Sequence, residues 1–383
     1  MPPAAPLHVV SVQTTSEKGG AEYSNVDLLR GLRERGARVK LLTNHPELAD
    51  GSGVPVDPVA LGPKLGRRTV VRVALGFVPW LARLVRLLRR ERAAEGPIDV
   101  LLVHYKKEQL MAALLPRRLA GSVVWAEWGP VPFEFRRGLP RRLYVAAARR
   151  AARIVAISEG TKRSIAAVGV PASKIEVLPN AVDVDAVDFD PAARERFRRE
   201  WGAGPDTFVT CCVSRLHHKK RNDVLVRALG DLDGDALLVL AGDGEEEAAL
   251  RALAAPYGER VRFMPTPRGY VEQVYSACDV ALFAPSPTEG SPRSVVMAQL
   301  VRRPVVATDS EGAEDLVTEG TGTIVSPPHD PAAVASVLRE YRSDPARRDR
   351  EGERAREEAV RRHDRRRVGD RFEAALREAA RPG

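Results

Sequence analysis

Three short stretches of this 383-residue chain carry residues whose types and spacing suit chemistry on an anionic, hydroxyl-rich ligand. In the first, the apolar run Val280–Phe283 leads through a Pro- and Ser-rich turn to Glu289, Gly290, Ser291 and Pro292, after which a helix is predicted. A helix N-terminus offers free backbone N–H groups and the positive end of a dipole to an anion. Glu289 adds a carboxylate that can accept bonds from hydroxyls. In the second, the apolar run 207–213 ends in Ser214, Arg215, Leu216, His217, His218, Lys219, Lys220 and Arg221. Arg215 and Lys220 can neutralise a phosphate or pyrophosphate, Arg as a planar fork and Lys as a point charge. The bland alternative is a loose, solvated basic loop. In the third, the run 236–241 ends in Gly242, Asp243 and Gly244, which allow close backbone approach to a base or phosphate or simply make a tight turn.

The elements that must position these residues follow from periodicity. Short apolar runs at 7–12, 39–42, 98–103, 123–126 and 154–157, separated by helical patterns, predict the strands of a parallel sheet. A charged, Asp- and Pro-rich segment at 179–206 marks a boundary, and the strand–helix alternation then restarts at 207–213, 236–241, 261–264, 280–283 and 304–307. The fold class is therefore α/β, with two Rossmann-like domains and a ligand cleft expected between them. The boundaries read as 1–185, 186–360 and a C-terminal helical segment 361–383 expected to return to the first domain. The loop 13–18 and the Gly19, Gly20, Ala21, Glu22 turn after the first strand lack the G-x-G-x-x-G spacing of a dinucleotide fingerprint, which argues against a nicotinamide enzyme.

Composition narrows the field further. Sixty basic against 51 acidic residues give a net charge of +9, so a polyanionic partner is open. The basic residues are spread along helices without a reader motif, which argues against nucleic acid. The three cysteines, Cys211, Cys212 and Cys278, lack metal spacing and are expected as reduced, buried thiols. His217 and His218 have no carboxylate at a suitable local spacing, and Asp183 and Asp185 lie in the linker, so no metal is expected. No signal peptide or membrane span is visible, and a cytoplasmic location is expected. Residues 70–92 form a basic amphipathic helix that either packs on the sheet with its Arg face in water, the preferred reading, or lies on an anionic membrane with Trp80 at the interface; 139–153 is similar.

Taken in order, Gly19-Gly20-Ala21-Glu22, Pro179-Asn180-Ala181-Val182-Asp183, Arg215 with Lys220, Gly242-Asp243-Gly244 and Glu289-Gly290-Ser291-Pro292 followed by 304–308 and Gly312 resemble glycosyltransferase family 4, the retaining family of the GT-B fold. The resemblance implies an N-terminal domain for the acceptor and a C-terminal domain for a nucleotide-diphospho sugar, with no metal or other cofactor. It assigns Arg215 and Lys220 to the diphosphate leaving group and Glu289, Gly290, Ser291 and Pro292 to the donor sugar. It places Gly19 and Gly20 against the diphosphate, and Gly242 and Gly244 near the nucleotide.

Two positions depart from the family pattern. Where the family carries a second Glu that binds ribose hydroxyls stands Met297, which cannot accept two strong hydrogen bonds. A donor with a deoxyribose is one explanation; a neighbouring group taking over is the other. After strand 123–126, where the family often has His near the reacting carbon, stands Glu127. It is a candidate for orienting the acceptor or attracting an ammonium group, against the alternative of an exposed loop carboxylate. His104, Lys106 and Glu22 complete the candidate acceptor residues. The expected activity is transfer of a sugar to an acceptor hydroxyl, with a soluble polar metabolite favoured over a lipid carrier and at most peripheral membrane contact. Alternatives are an epimerase, a phosphorylase or a non-catalytic sugar-nucleotide binder.

Overall fold

The computed structural model describes residues 5–15, 19–267, 269–286 and 289–381. Part of the predicted loop 13–18, at 16–18, and residues 287 and 288 of the turn before Glu289 lie outside these. The chain runs β1 (His8–Gln13), α1 (Gly20–Glu34), β2 (Arg38–Thr43), β3 (Val56–Pro58), α2 (Val70–Glu95), β4 (Val100–Val103), α3 (Lys106–Ala112), α4 (Arg117–Ala120), β5 (Ser122–Glu127), α5 (Gly138–Arg150), β6 (Arg153–Ala156), α6 (Glu159–Ala167) and β7 (Ile175–Val177). It continues through α7 (Pro191–Trp201), β8 (Phe208–Val213), α8 (Asn222–Gly230), β9 (Ala236–Ala241), α9 (Glu247–Ala254), β10 (Val261–Met264), α10 (Val271–Ala277), β11 (Val280–Phe283), α11 (Arg293–Leu300), β12 (Val305–Thr308), α12 (Ala313–Leu316), β13 (Gly322–Val325), α13 (Pro331–Ser343), α14 (Pro345–His363) and α15 (Arg365–Ala380). It divides into two compact units, 1–181 with 365–383, and 182–364.

The first unit is built on a seven-stranded sheet in the order β3-β2-β1-β4-β5-β6-β7, with every pair parallel. Successive strand residues point to opposite faces, so both faces of a parallel sheet must be covered. Val10, Val12, Leu101, Val103 and Trp125 face α2, α3 and α5 through Leu84, Leu88, Met111 and Tyr144. Their neighbours Val9, Val100, Leu102 and Val124 face α1 and α15 through Leu29, Phe372 and Leu376. The C-terminal helix α15 is thus a wall of this unit's core.

The second unit repeats the plan with six parallel strands in the order β10-β9-β8-β11-β12-β13. Val209, Cys211 and Val213 pack with α7, α10 and α11, while Phe208, Cys212 and Leu240 pack with α8 and α13. The three cysteines are buried free thiols, and burial pushes Cys212 up to about 11, which keeps it protonated and unreactive. Strands β3, β7 and β13 were not expected. They are short edge strands of three or four residues, most of them half-buried, too brief to show an alternation.

Each sheet has one point where strand order reverses, between β1 and β4 in the first and between β8 and β11 in the second. Loops leaving the carboxyl ends of such strands diverge and leave a crevice for a ligand. Glu22, His104 and Lys106 follow the two strands at the first reversal point, and Arg215, Lys220 and Glu289 follow the two at the second.

Candidate active site

In the second unit the loop after β8 carries Arg215 and Lys220, and the loop after β11 carries Glu289. Lys220 Nζ donates to Glu289 Oε2 at 2.5 Å, an ion pair with side chains 21% and 24% exposed. It joins the loops on either side of the reversal point, and Ser286 N–H donating to the Lys219 carbonyl at 2.7 Å joins them again. The start of the basic loop is pinned from below. Val213 N–H donates to the buried Tyr275 hydroxyl at 3.1 Å, and Asn222 Nδ2 donates to Ser214 Oγ at 3.3 Å. Arg221 closes the loop in the left-handed region at φ 46°, with its guanidinium forked on Asp223 at 2.9 and 3.0 Å. A loop held this way is not the loose, solvated segment of the bland alternative.

Glycines let the neighbouring loops approach. A Cβ on Gly242, whose φ is 157°, would lie 1.9 Å from the Ser214 carbonyl oxygen, and one on Gly244 would lie 2.1 Å from that of Leu216. Their role in this structure is to seat the β9 loop against the basic loop. Gly312, after β12, meets the Gly290 carbonyl oxygen in the same manner, with a Cβ-to-oxygen distance of 1.4 Å. Helix α11 begins just beyond Ser291 and Pro292, and Met297 is half-buried against the core on the same helical face as Arg293, four residues earlier.

A carboxylate does accompany His217 and His218, although none stands at local spacing. Glu245, distant in sequence, stands 3.1 Å from His217 Nε2, and the three side chains converge. The ring's other nitrogen, Nδ1, accepts the Lys219 backbone N–H at 3.1 Å. A neutral imidazole that accepts at Nδ1 carries its proton on Nε2, so it donates to Glu245 and shows no free lone pair. His217 in this state is a loop cap.

In the first unit the polar residues collect where β1, β4 and β5 end, and most are buried. Glu127 is 5% exposed and its oxygens accept from Lys106 Nζ at 2.6 Å, Gln109 Nε2 at 3.0 Å and the Tyr144 hydroxyl at 2.9 Å. The alternative of an exposed loop carboxylate is therefore excluded: Glu127 is the buried last residue of β5. Burial is the largest influence on Lys106 and lowers its pKa, and the Glu127 charge works against that. His104 is buried with both nitrogens engaged. Trp128 Nε1 is a donor only and meets His104 Nδ1 at 2.9 Å, so the ring proton sits on Nε2 and goes to Ser11 Oγ at 2.9 Å. Burial lowers the His104 pKa to about 3, which holds the ring neutral. Glu22 is equally committed: one oxygen accepts the Gly19 N–H at 2.9 Å and the other the Tyr105 hydroxyl, so it fixes the Gly19–Gly20 turn that opens α1.

Sequence reasoning missed Tyr105, Lys107, Glu108, Gln109 and Tyr144. Lys107 and Glu108 form a fully buried pair at 3.3 Å, with Lys107 also donating to the Gly62 carbonyl at 2.9 Å and Glu108 bonded to Thr14. The available signal was the six-residue polar run His104–Gln109 directly after the wholly apolar β4.

The residues matched to known families come in the same two blocks. Residues 18–186 match the family described as "Glycosyltransferase Family 4", and residues 193–358 match "Glycosyl transferases group 1". The chain belongs to glycosyltransferase family 4. Among similar family members, a 2-deoxystreptamine glucosyltransferase of Streptomyces kanamyceticus is 34% identical over 211 residues, which span 52% of this chain and 54% of that enzyme. A D-inositol 3-phosphate glycosyltransferase of Xylanimonas cellulosilytica is 28% identical over 88% of this chain and 86% of its own length. The GT-B fold is shared with Anabaena HepE, solved with UDP, at a TM-score of 0.83 and 22% identity over 97% of this chain and all of that one.

The Glu127 cluster makes a stability prediction. Removing one partner of a buried ion pair strands the other, so Glu127→Gln or Lys106→Met alone is expected to lower unfolding free energy by about 3 kcal/mol. The double variant should lose less than the sum of the two, because no buried charge is left unmatched. Urea unfolding of the four proteins measures this, and additive losses would contradict the pairing.

Proposed function

We propose that the protein is a retaining glycosyltransferase that moves a sugar from a nucleotide-diphospho donor to a hydroxyl of a polar, polyhydroxylated small molecule, without a metal. The observation that carries the reading is the Lys220–Glu289 pair across the β8/β11 reversal point, with Arg215 in the same loop. In bond terms, the anomeric carbon–phosphate oxygen bond breaks and an acceptor oxygen–carbon bond forms. The acceptor proton passes to the departing phosphate on the same face of the sugar. The largest change in charge is on the diphosphate, so fixed cations there stabilise the transition state most. Lys220 holds three N–H donors and Glu289 occupies one in the structure. On donor binding Lys220 turns to the diphosphate and Glu289 is released to the sugar hydroxyls, with Gly290, Ser291 and Pro292 beside it. Gly242 and Gly244 hold the nucleotide loop.

Two relatives named for 2-deoxystreptamine and for inositol phosphate support a polyhydroxylated ring as acceptor. Glu127, with its oxygens accepting from Lys106, Gln109 and Tyr144, acts as a positioning residue for Lys106 rather than as a base. Glu22 and His104 position the acceptor side in the same indirect way, through the Gly19 turn and Trp128. A panel of sugar nucleotides with cyclitol acceptors, read by nucleoside diphosphate release and by NMR of the product, tests the reading. The product should keep the donor's anomeric configuration, and an inverted product overturns retention. Release of free sugar nucleotide epimer or sugar phosphate instead would favour an epimerase or phosphorylase.

Two variants and one donor comparison sharpen the assignment. Arg215→Ala and Lys220→Ala should each lower kcat by about a hundred- to a thousandfold, the loss seen when one preorganised donor to a developing anion is removed. Thermal melts should show both variants folded. Met297 predicts that ribose hydroxyls gain little here, so a UDP-sugar and its dUDP counterpart should differ in kcat/KM by less than about threefold. A buried hydroxyl contact would instead be worth about 1–3 kcal/mol, and a preference above tenfold for the ribonucleotide would show that another group has replaced the missing carboxylate.

A further inference from the structure

We infer that the α2–α3–α5 face of the first unit docks on an anionic membrane surface. The inference goes beyond the proposed transfer and does not depend on it.

The segment from Pro58 to Arg90 contains no Asp or Glu, and it contains Lys64, Arg67, Arg68, Arg72, Arg83, Arg86, Arg89 and Arg90. Within it α2 buries Val73, packs Leu84 and Leu88 into the core of the sheet and turns the other stripe outward. Val71, Leu75, Val78 and Ala82 recur at helical spacing along that stripe and are all exposed, Leu75 by 79% and Val78 by 72%. The same stripe continues into exposed Arg86, Arg89 and Arg90. A helix whose outward stripe is aliphatic for three turns and then cationic cannot owe that pattern to its own core, which lies on the opposite side.

A second element has the same character. Residues 135–158 hold no acid, and α5 exposes Leu139 and Leu143, one turn apart, by 66% and 50%, among exposed Arg137, Arg141 and Arg142. Both helices cover the same face of the seven-stranded sheet, and both contact α3 between them. Exposed aliphatic side chains ringed by guanidinium groups match the two layers of an anionic bilayer surface, acyl chains below phosphates. A protein partner would have to supply an apolar surface with a dense acidic rim, whereas a bilayer supplies both everywhere.

Trp80 is not at this surface: its ring packs inward against Gly62 and Gly76, with Lys107 Nζ 5.6 Å above it. Among the described residues no helix is long and apolar enough to cross a membrane, so the contact is peripheral. The preference for a soluble acceptor rested partly on the lack of a membrane signal, and the exposed stripe removes that support. Docking bears on where the acceptor is met, not on what is transferred.

Co-sedimentation of the full chain with vesicles tests this. Partitioning should be at least about tenfold stronger onto phosphatidylcholine vesicles containing about 30% phosphatidylglycerol than onto pure phosphatidylcholine. Raising salt from about 0.1 to about 0.5 M should weaken it several-fold. Leu75→Glu with Val78→Glu should lower it about tenfold, and so should Arg86→Glu with Arg89→Glu. All four sites are exposed, so thermal melts should match the parent. Equal binding to both vesicle types, or binding untouched by either double variant, overturns the inference. So does a dimer in light scattering that Leu75→Glu with Val78→Glu converts to monomer, since the stripe would then pair two copies of the chain.

Discussion

Everything distinctive about the second unit depends on a reversal of strand order between β8 and β11, and on the ion pair that spans it. Parallel strands end on the same edge of the sheet, so their loops compete for space everywhere except where the helices that follow go to opposite faces. There Lys220 from one loop and Glu289 from the next meet at 2.5 Å. A cation and a carboxylate left one-fifth to one-quarter exposed are screened only in part, and each keeps hydrogen-bonding capacity for a ligand. The surrounding glycines are conditions for that meeting. Any side chain at Gly242, Gly244 or Gly312 would drive into a neighbouring carbonyl and push the loops apart.

The first unit treats charge in the opposite way. Its carboxylates and cations at the strand ends are buried and consumed by one another: Glu127 by Lys106, Glu108 by Lys107, Glu22 by Tyr105 and the Gly19 N–H. Desolvated groups need partners, and here each carboxylate is committed to a neighbour. His104 is held neutral by the same burial. These residues lock one another in place, while in the proposed reaction the ionic work falls to the more open Lys220–Glu289 pair and to Arg215.

Much of this was legible in the sequence for a physical reason. Long apolar strands buried on both faces leave an unmistakable run of Val, Leu and Ile, and the loops following them are the sites of function in any open parallel sheet. The ten strands expected from such runs are all present, and the basic loop and Glu289 stand where the runs placed them. What stayed hidden was contact between distant positions. Nothing local to Glu127 announces Lys106 or Tyr144, nothing near His217 announces Glu245, and the inward packing of Trp80 depends on room left by Gly62 and Gly76. Edge strands β3, β7 and β13 escaped because half-buried segments of three or four residues have no pattern to read. The outward aliphatic stripe of α2 had the periodicity of an ordinary core helix, and only its exposure shows which side it faces.

The central claim is that fixed cations of the β8 loop, not a metal, hold the diphosphate. Calorimetric titration in EDTA measures it most directly, comparing the nucleoside diphosphate that most stabilises the fold with its own nucleoside. The account predicts that the diphosphate binds at least about a hundredfold more tightly, as two or more charge-assisted hydrogen bonds require, and that added salt narrows the gap. Equal affinity for nucleoside and diphosphate, or diphosphate binding that appears only when a divalent cation is restored, would contradict it.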